Sequence, residues 1–221
     1  MSCGINDIDR LEAFRRGTLV EVCGSPSSGR TTLLHGLLSR CTGGGEAAAV
    51  IDVTDSFDPV SASRQGIALS ELLWVRCGMP RIHGRKLSAL EQGLVAAVLL
   101  LQGGGFGMLV VDMANVSAKE ARNIPLAKWF QLRRAVEGTQ TLLVILVQQS
   151  NAGSSSASII DLSQAGVEVE KSRTTHFTHI DGDCVIRTLS SRAEVVRGQM
   201  RKPVQSVRKT GEFSTDLHSY R

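Results

Sequence analysis

The sequence predicts an α/β fold, a doubly wound and mostly parallel sheet with antiparallel strands appended at its C-terminal side. Three observations carry this expectation. Apolar, β-branched runs of strand length recur through the first 150 residues. Most are separated by segments with apolar residues at helical spacing. The runs are continuous rather than alternating, which suits strands covered on both faces. Strand alternating with helix then implies right-handed βαβ units. The 221 residues suffice for one such domain with a sizeable core, and not for two comfortable ones. Residues 1–197 read as that domain and residues 198–221 as a basic, flexible tail.

The elements follow in order. Thr18-Leu-Val-Glu-Val-Cys23 reads as the first strand, and a helix over 30–40 follows it, weakened by Gly36. Residues 47–53, 72–76, 107–112 and 141–147 read as four further strands. Helices are predicted near 59–65, over 86–101 and over 125–137. The glycine triplets at 43–45 and 103–105 fall between a helix and the next strand, where C-caps are expected. After Gln149 the character changes. Residues 151–158 read as a flexible Gly/Ser segment. Residues 166–170 and 184–189 read as strands joined through a hairpin at 179–183. From about residue 198 no contribution to the core is expected.

Composition removes several classes of protein. No apolar stretch approaches the roughly 18 residues of a membrane span, and the N-terminus lacks a basic region followed by an apolar one. A cytoplasmic protein is expected. Five cysteines, odd in number, widely spaced and without a C-x-x-C pair, read as reduced thiols. The net charge is +4. Residues 187–221 hold eight Lys/Arg and three Asp/Glu, whereas the preceding 186 residues hold 17 and 18. The basic excess therefore sits in the tail, where Arg201, Lys202, Arg208 and Lys209 are candidates for contacting DNA or an acidic partner.

Gly24-Ser-Pro-Ser-Ser-Gly-Arg-Thr-Thr32 is a phosphate-binding loop pattern between a strand and a helix. Its glycines let backbone N–H groups wrap a phosphate chain, and the helix N-terminus is aimed at the anion. The candidate nucleotide-binding residues are Gly24, Ser25, Pro26, Ser27, Ser28, Gly29, Arg30, Thr31 and Thr32. The hydroxyl of Thr31 is the expected Mg²⁺ ligand, and Asp112, at the end of an apolar strand, the expected second acidic group of that metal site. Only Arg30 departs from the pattern, standing where lysine is expected. Asp52 and Asp55 flank the end of the second strand, where a base would orient attacking water. Gln149 ends the fifth strand, a place from which a side chain senses the γ-phosphate and signals into the Gly/Ser segment. His176-Phe-Thr-His179 has the spacing of a weak metal motif and reads as surface hairpin. Trp129, Phe130, Arg133 and Arg134 read as one amphipathic helix with a core aromatic and solvated arginines.

These residues resemble a known family. The stretch from Gly17 to Leu33 resembles the opening of the core ATPase domain of RecA-type recombinases. Ile51-Asp-Val-Thr-Asp-Ser-Phe-Asp-Pro59 and Gly66-Ile-Ala-Leu-Ser-Glu-Leu-Leu73 resemble the block that carries the catalytic glutamate and an adenine-contacting aspartate. The resemblance covers about residues 17–190. It implies ATP and Mg²⁺ as cofactors, Asp58 as the adenine contact, Asp112 as the Walker B acid and Gln149 as the nucleotide sensor. It also shows departures. Thr54 falls where the catalytic glutamate would stand, Ser61 where the bacterial recombinase has an adenine-stacking aromatic, and only about 16 residues precede Gly17, so the filament-forming N-terminal elements are expected to be reduced.

Arginine presents a larger planar fork than the compact ammonium of lysine. A positioned general base contributes about 10²–10⁴-fold, so its loss leaves hydrolysis weak or absent. Within the RecA-like proteins, Ser-Ser-Gly-Arg-Thr, Asp-Pro-Val-Ser-Ala-Ser and Leu-Leu-Trp-Val-Arg-Cys look most like the ImuA family of accessory factors for damage-induced (SOS) translesion synthesis. That resemblance implies RecA and an ImuB-type polymerase-like protein as partners. The alternatives are a DNA-stimulated ATPase of the recombinase-paralogue type, and a DNA-binding protein acting through the basic tail and the Gly/Ser loop.

Overall fold

The five apolar runs form the centre of the sheet. In the computed structural model, which describes residues 1–78, 87–171, 184–197 and 209–216, the strands are β1 (Leu19–Gly24), β2 (Ala48–Asp52), β3 (Leu72–Arg76), β4 (Met108–Asp112) and β5 (Leu142–Val147). β6 (Ser158–Lys171), β7 (Cys184–Arg197) and β8 (Lys209–Asp216) follow. The helices are α1 (Asn6–Asp9), α2 (Arg30–Gly43), α3 (Pro59–Arg64), α4 (Ala89–Gly103), α5 (Ala118–Arg122) and α6 (Leu126–Val136). Among the described residues the strands make one sheet in the order β3-β2-β4-β5-β1-β6-β7-β8. The first six of these neighbours pair in parallel, β7 runs antiparallel to β6, and β8 antiparallel to β7.

β1, β2, β4 and β5 are buried at every position, which is why their sequences show no alternation. One face packs Leu33, Leu37 and Leu38 of α2, with Ile8 and Phe14 of the N-terminal segment, on Val20, Val50 and Val144. The other packs Leu94 and Leu101 of α4, with Trp129 and Leu132 of α6, on Ile51, Val111 and Ile145. The helix boundaries follow from caps. Asp58 accepts from the N–H of Val60 and Ser61 at the start of α3, with Pro59 in its first turn. Ser88 and Glu91 form a reciprocal capping box at α4. Gly44 and Gly104 are the C-caps of α2 and α4, as the glycine triplets suggested.

Gly36 weakens α2 for a reason. A Cβ there would lie 2.6 Å from the backbone oxygen of Cys3, so the glycine lets the N-terminal segment lie directly on the helix. Gly36→Ala gains up to about 1 kcal/mol of helix propensity and loses about 1–3 kcal/mol to overpacking. A lowered urea midpoint is therefore expected, against the propensity scale.

Four differences from the sequence reading have physical causes. α1 and α5 are too short to show a helical period. β6 and β7 run for 14 residues each, far beyond the apolar cores of 166–170 and 184–189. Along β6, Ile160 and Leu162 are buried while Asp161 and Ser163 are exposed, so the strand alternates where an unbroken run was sought. The Gly/Ser segment is ordered rather than flexible: it makes one 3₁₀ turn at Gly153–Ser155, buries Ala152, Ser155 and Ser156, and enters β6 at Ser158. Residues 209–216, read as part of a flexible tail, pair with β7 from Val195↔Lys209 to Thr188↔Asp216. Their polar composition, with Phe213 the one large apolar residue, gave no run by which to read a strand. The 179–183 hairpin, His176, His179, Arg201, Lys202 and Arg208 lie outside the described residues. No described helix is long and apolar enough to cross a membrane, and Cys3, Cys23, Cys41 and Cys77 are buried free thiols.

Candidate nucleotide site at the phosphate loop

The loop hangs between the C-terminal end of β1 and the first turn of α2. Gly24 donates its N–H to Gln148 O at 3.3 Å, which ties the loop to the end of β5. A Cβ at Gly24 would meet Ser28 Oγ at 2.4 Å and Leu162 O at 2.6 Å, so only glycine fits. Ser27 and Gly29 both adopt positive φ, 63° and 94°, and turn the chain into α2. Ser25, Pro26, Ser27 and Thr31 are exposed, whereas Ser28 is buried and its hydroxyl has no hydrogen-bond partner among the described residues. The first N–H groups of a helix have no intrahelical partner and carry partial positive charge. The backbone therefore fits a phosphate chain.

Arg30 does not lie in the open loop. It is 7% exposed, and its Nη1 donates to Val147 O at 2.9 Å and Ala114 O at 3.3 Å. It bridges α2 to the ends of β5 and β4 beneath the loop. Burial pulls its proton affinity down, and nearby Asp112 partly restores it. Asp112, 8% exposed, accepts the N–H of Ala114 at 2.9 Å. Its carboxyl is pushed above the ordinary value, first by burial; Asp52 adds to this, while the Ala114 hydrogen bond and Arg30 oppose it. Arg30 and Asp112 are thus brought together.

The raised carboxyl has a consequence for stability. The folded state holds that proton more tightly than the unfolded chain, so the stability it contributes is complete below the unfolded value and is lost as pH rises through the folded one. Asp112→Asn keeps an acceptor for Ala114. It is expected to be stabilising at pH 7.5, with the advantage vanishing below about pH 4; urea midpoints at the two pH values check this.

The other candidate residues are committed locally. Asp52, fully buried, accepts from Ser56 N at 3.0 Å, Phe57 N at 2.8 Å and Trp74 Nε1 at 3.3 Å. Asp55 makes a two-bond pair with Arg76, both at 2.7 Å, and Arg76 lies 4.9 Å from the centroid of the Trp74 ring. Neither carboxylate faces the loop unpaired. Asp58 caps α3 and also accepts from Ser61 Oγ at 2.5 Å. Thr54 Oγ1 sits 3.1 Å from Ser56 Oγ. Gln149 accepts from Arg122 Nη2 at 3.2 Å. Lys209 opens β8, separated from β1 by β6 and β7.

Sequence reasoning passed over Glu21. It sits in the middle of β1, fully buried, and its carboxylate accepts four hydrogen bonds: Ser150 Oγ at 2.6 Å, Asn151 N at 2.8 Å, Ala152 N at 2.9 Å and Ser156 Oγ at 2.8 Å. Arg133 of α6 adds a bond to Ser154 O at 3.2 Å. The supposed flexible segment is wound around a buried carboxylate. The sequence held half of the signal: an acid inside a strand covered on both faces must find donors, but nothing local to Glu21 says which distant segment supplies them.

The comparisons with known proteins agree with this geometry. Residues 2–123 match the RecA N-terminal domain family. Over 108 residues the chain is 34% identical to Protein RecA of Borrelia turicatae, an alignment that spans 49% of this chain and 27% of that protein. The crystal structure of the RadB recombinase superposes with a TM-score of 0.59 at 16% identity, covering 95% of this chain and 94% of that one, a likeness of fold. With a strand–phosphate loop–helix unit at the ligand edge of a mostly parallel sheet, and the family match running through more than half of its residues, this chain belongs to the RecA N-terminal domain family.

Proposed function

We propose that this chain is a RecA-like accessory factor of the bacterial DNA-damage response and translesion DNA synthesis. It acts by binding RecA, an ImuB-type polymerase subunit, or both, and its ATP site is degenerate. One observation carries the reading: the residue in the lysine position, Arg30, is buried as a brace on Val147 O and Ala114 O. Thr54 compounds this, because a hydroxyl engaged with Ser56 cannot serve as the missing carboxylate base.

The loop backbone from Gly24 to Thr32 would still hold a nucleotide's phosphates, with Thr31 and Asp112 as Mg²⁺ ligands and Gln149 as the sensor. Bound Mg²⁺ would neutralise phosphate charge, the task that Arg30 has given up. Phosphate release is expected to stay at background with or without single-stranded DNA, while the protein co-elutes with RecA or with an ImuB-type subunit. DNA-stimulated turnover abolished by Thr31→Ala would overturn the reading.

A second reading, DNA binding through the basic C-terminal residues, is supported by the charge excess after residue 187. Replacing Arg201, Lys202, Arg208 and Lys209 with glutamine tests it without deleting β8. If these residues neutralise DNA phosphates, the log–log salt slope falls by about 0.9 for each phosphate left without its cation. An unchanged slope excludes them.

A further inference from the structure

On the sheet face opposite α2, the helices α4 and α6 leave apolar side chains in solvent. Val95 and Leu99 on α4, and Leu126 and Phe130 on α6, are spaced i, i+4 on their helices and are 39%, 62%, 62% and 41% exposed. Beside them lies a groove of about 650 Å³, lined by Val98, Ala127 and Phe130 with Gln102, Gln131 and Arg134 as its polar groups. A second depression of about 580 Å³ opens beside Leu94, Val95, Ile124 and Pro125, with Glu91, Glu120 and Lys128 as its charged groups, so only the larger groove is purely cationic. Two i, i+4 pairs flanking grooves are the shape that receives the apolar stripe of a helix.

Charge identifies the occupant. α6 carries Lys128, Arg133 and Arg134 and no acid. The only acid on α4 is Glu91, held in the capping box at the helix start. Arg134, the one charged residue lining the larger groove, has no carboxylate partner among the described residues. Arg133 is turned away, bonded to Ser154 O. A second copy that seated its own α6 in the larger groove would bring Lys128 and Arg134 towards Arg134. The chain's own C-terminal stretch, with Arg201, Lys202 and Arg208, is basic as well. Both are disfavoured by like-charge repulsion.

We infer that the α4–α6 face is a docking groove for an amphipathic helix of a partner protein, one whose apolar stripe is flanked by Asp or Glu. The apolar stripe seats against Phe130, Val98 and Ala127, and an acidic flank reaches Arg134. This inference rests on the accessory-factor reading and names the surface and the chemistry of its partner. An aromatic and an arginine one turn apart are the residue types that concentrate binding energy at interfaces.

The probe is a fluorescein-labelled amphipathic peptide with leucines at i, i+4 and i+7 flanked by glutamates; its lysine-for-glutamate counterpart is the control. Anisotropy is expected to show binding of the glutamate peptide alone. Phe130→Ser, at an exposed position, is expected to weaken it by about tenfold or more. Arg134→Glu is expected to shift preference to the lysine peptide. Equal binding of the glutamate peptide by the protein and both variants, or no binding at all, overturns the inference. Self-association that disappears in the same variants, read by light scattering, overturns it in favour of a second copy. A RecA or ImuB-type complex that the variants leave intact defeats the groove and spares the accessory reading. Groove-dependent peptide binding with neither complex formed defeats the accessory reading and spares the groove.

Discussion

Replacing Glu21 with alanine is expected to lower the melting temperature of this protein by about 10 °C. The carboxylate accepts two backbone N–H groups and two hydroxyls, all around one buried site. Its removal strands the N–H of Ala152 and the hydroxyl of Ser156, both at buried residues. Hydrogen bonds to charged groups contribute about 1.5–3 kcal/mol each and are not additive within one network, so a loss of about 3–5 kcal/mol is expected. At about 2–4 °C per kcal/mol for a chain of this size, that gives the stated shift. Glu21→Gln keeps one oxygen as acceptor, and serine hydroxyls rotate to accept from its amide. It should retain at least half of the stability that alanine forfeits. Thermal unfolding followed by circular dichroism distinguishes the three proteins; a shift below about 2 °C for Glu21→Ala would remove the carboxylate from its assigned role.

The second large effect is a gain. Arg30→Lys alone should leave ATP hydrolysis at background, because Thr54 supplies no base. Thr54→Glu alone should do the same, because Arg30 remains folded beneath the loop on Val147 O and Ala114 O. Together the two changes restore a compact ammonium to the loop and a carboxylate to the end of β2. The double variant is expected to hydrolyse ATP about 10²-fold faster than the wild type, more than the product of the single effects. Phosphate release with single-stranded DNA and Mg²⁺ measures it. Equal rates for wild type and double variant would show that something other than these two positions silences the site. A lysine that reaches the loop also gives up both main-chain hydrogen bonds of Arg30, to Val147 O and Ala114 O, so a stability loss of about 1–3 kcal/mol should accompany the gain.

The central sheet was legible because burial on both faces writes itself into sequence as unbroken apolar runs. β1 to β5 lie within a residue or so of the positions read for them. The phosphate loop was legible for a related reason: Gly24 and Gly29 are dictated by contact and by φ, and such constraints leave little choice of residue. What escaped was everything set by distant partners. Glu21 meets donors 129 to 135 positions away, and no local pattern pairs a strand glutamate with a serine-rich stretch so far downstream. β6 and β7 were read too short, because their described ends alternate and so dilute the apolar signal, and β8 not at all, because Lys209–Asp216 is polar apart from Phe213. Asp58 was read from resemblance as an adenine contact. The Asp-Pro start of a helix at Pro59 was an independent signal for a cap, and the structure forms that cap.

Arg30 gives the loop a property that a phosphate-seeking lysine would not. A guanidinium bolted to the ends of two neighbouring strands sets the curvature of the loop before any ligand arrives, as a rivet fixes a bracket. A nucleotide entering such a cradle would find it already shaped and would have little conformational work left to do. The surfaces on the far side of the sheet would then keep one form with or without nucleotide. A partner could be held continuously by a body of this kind, where a turnover cycle would grip it and let it go.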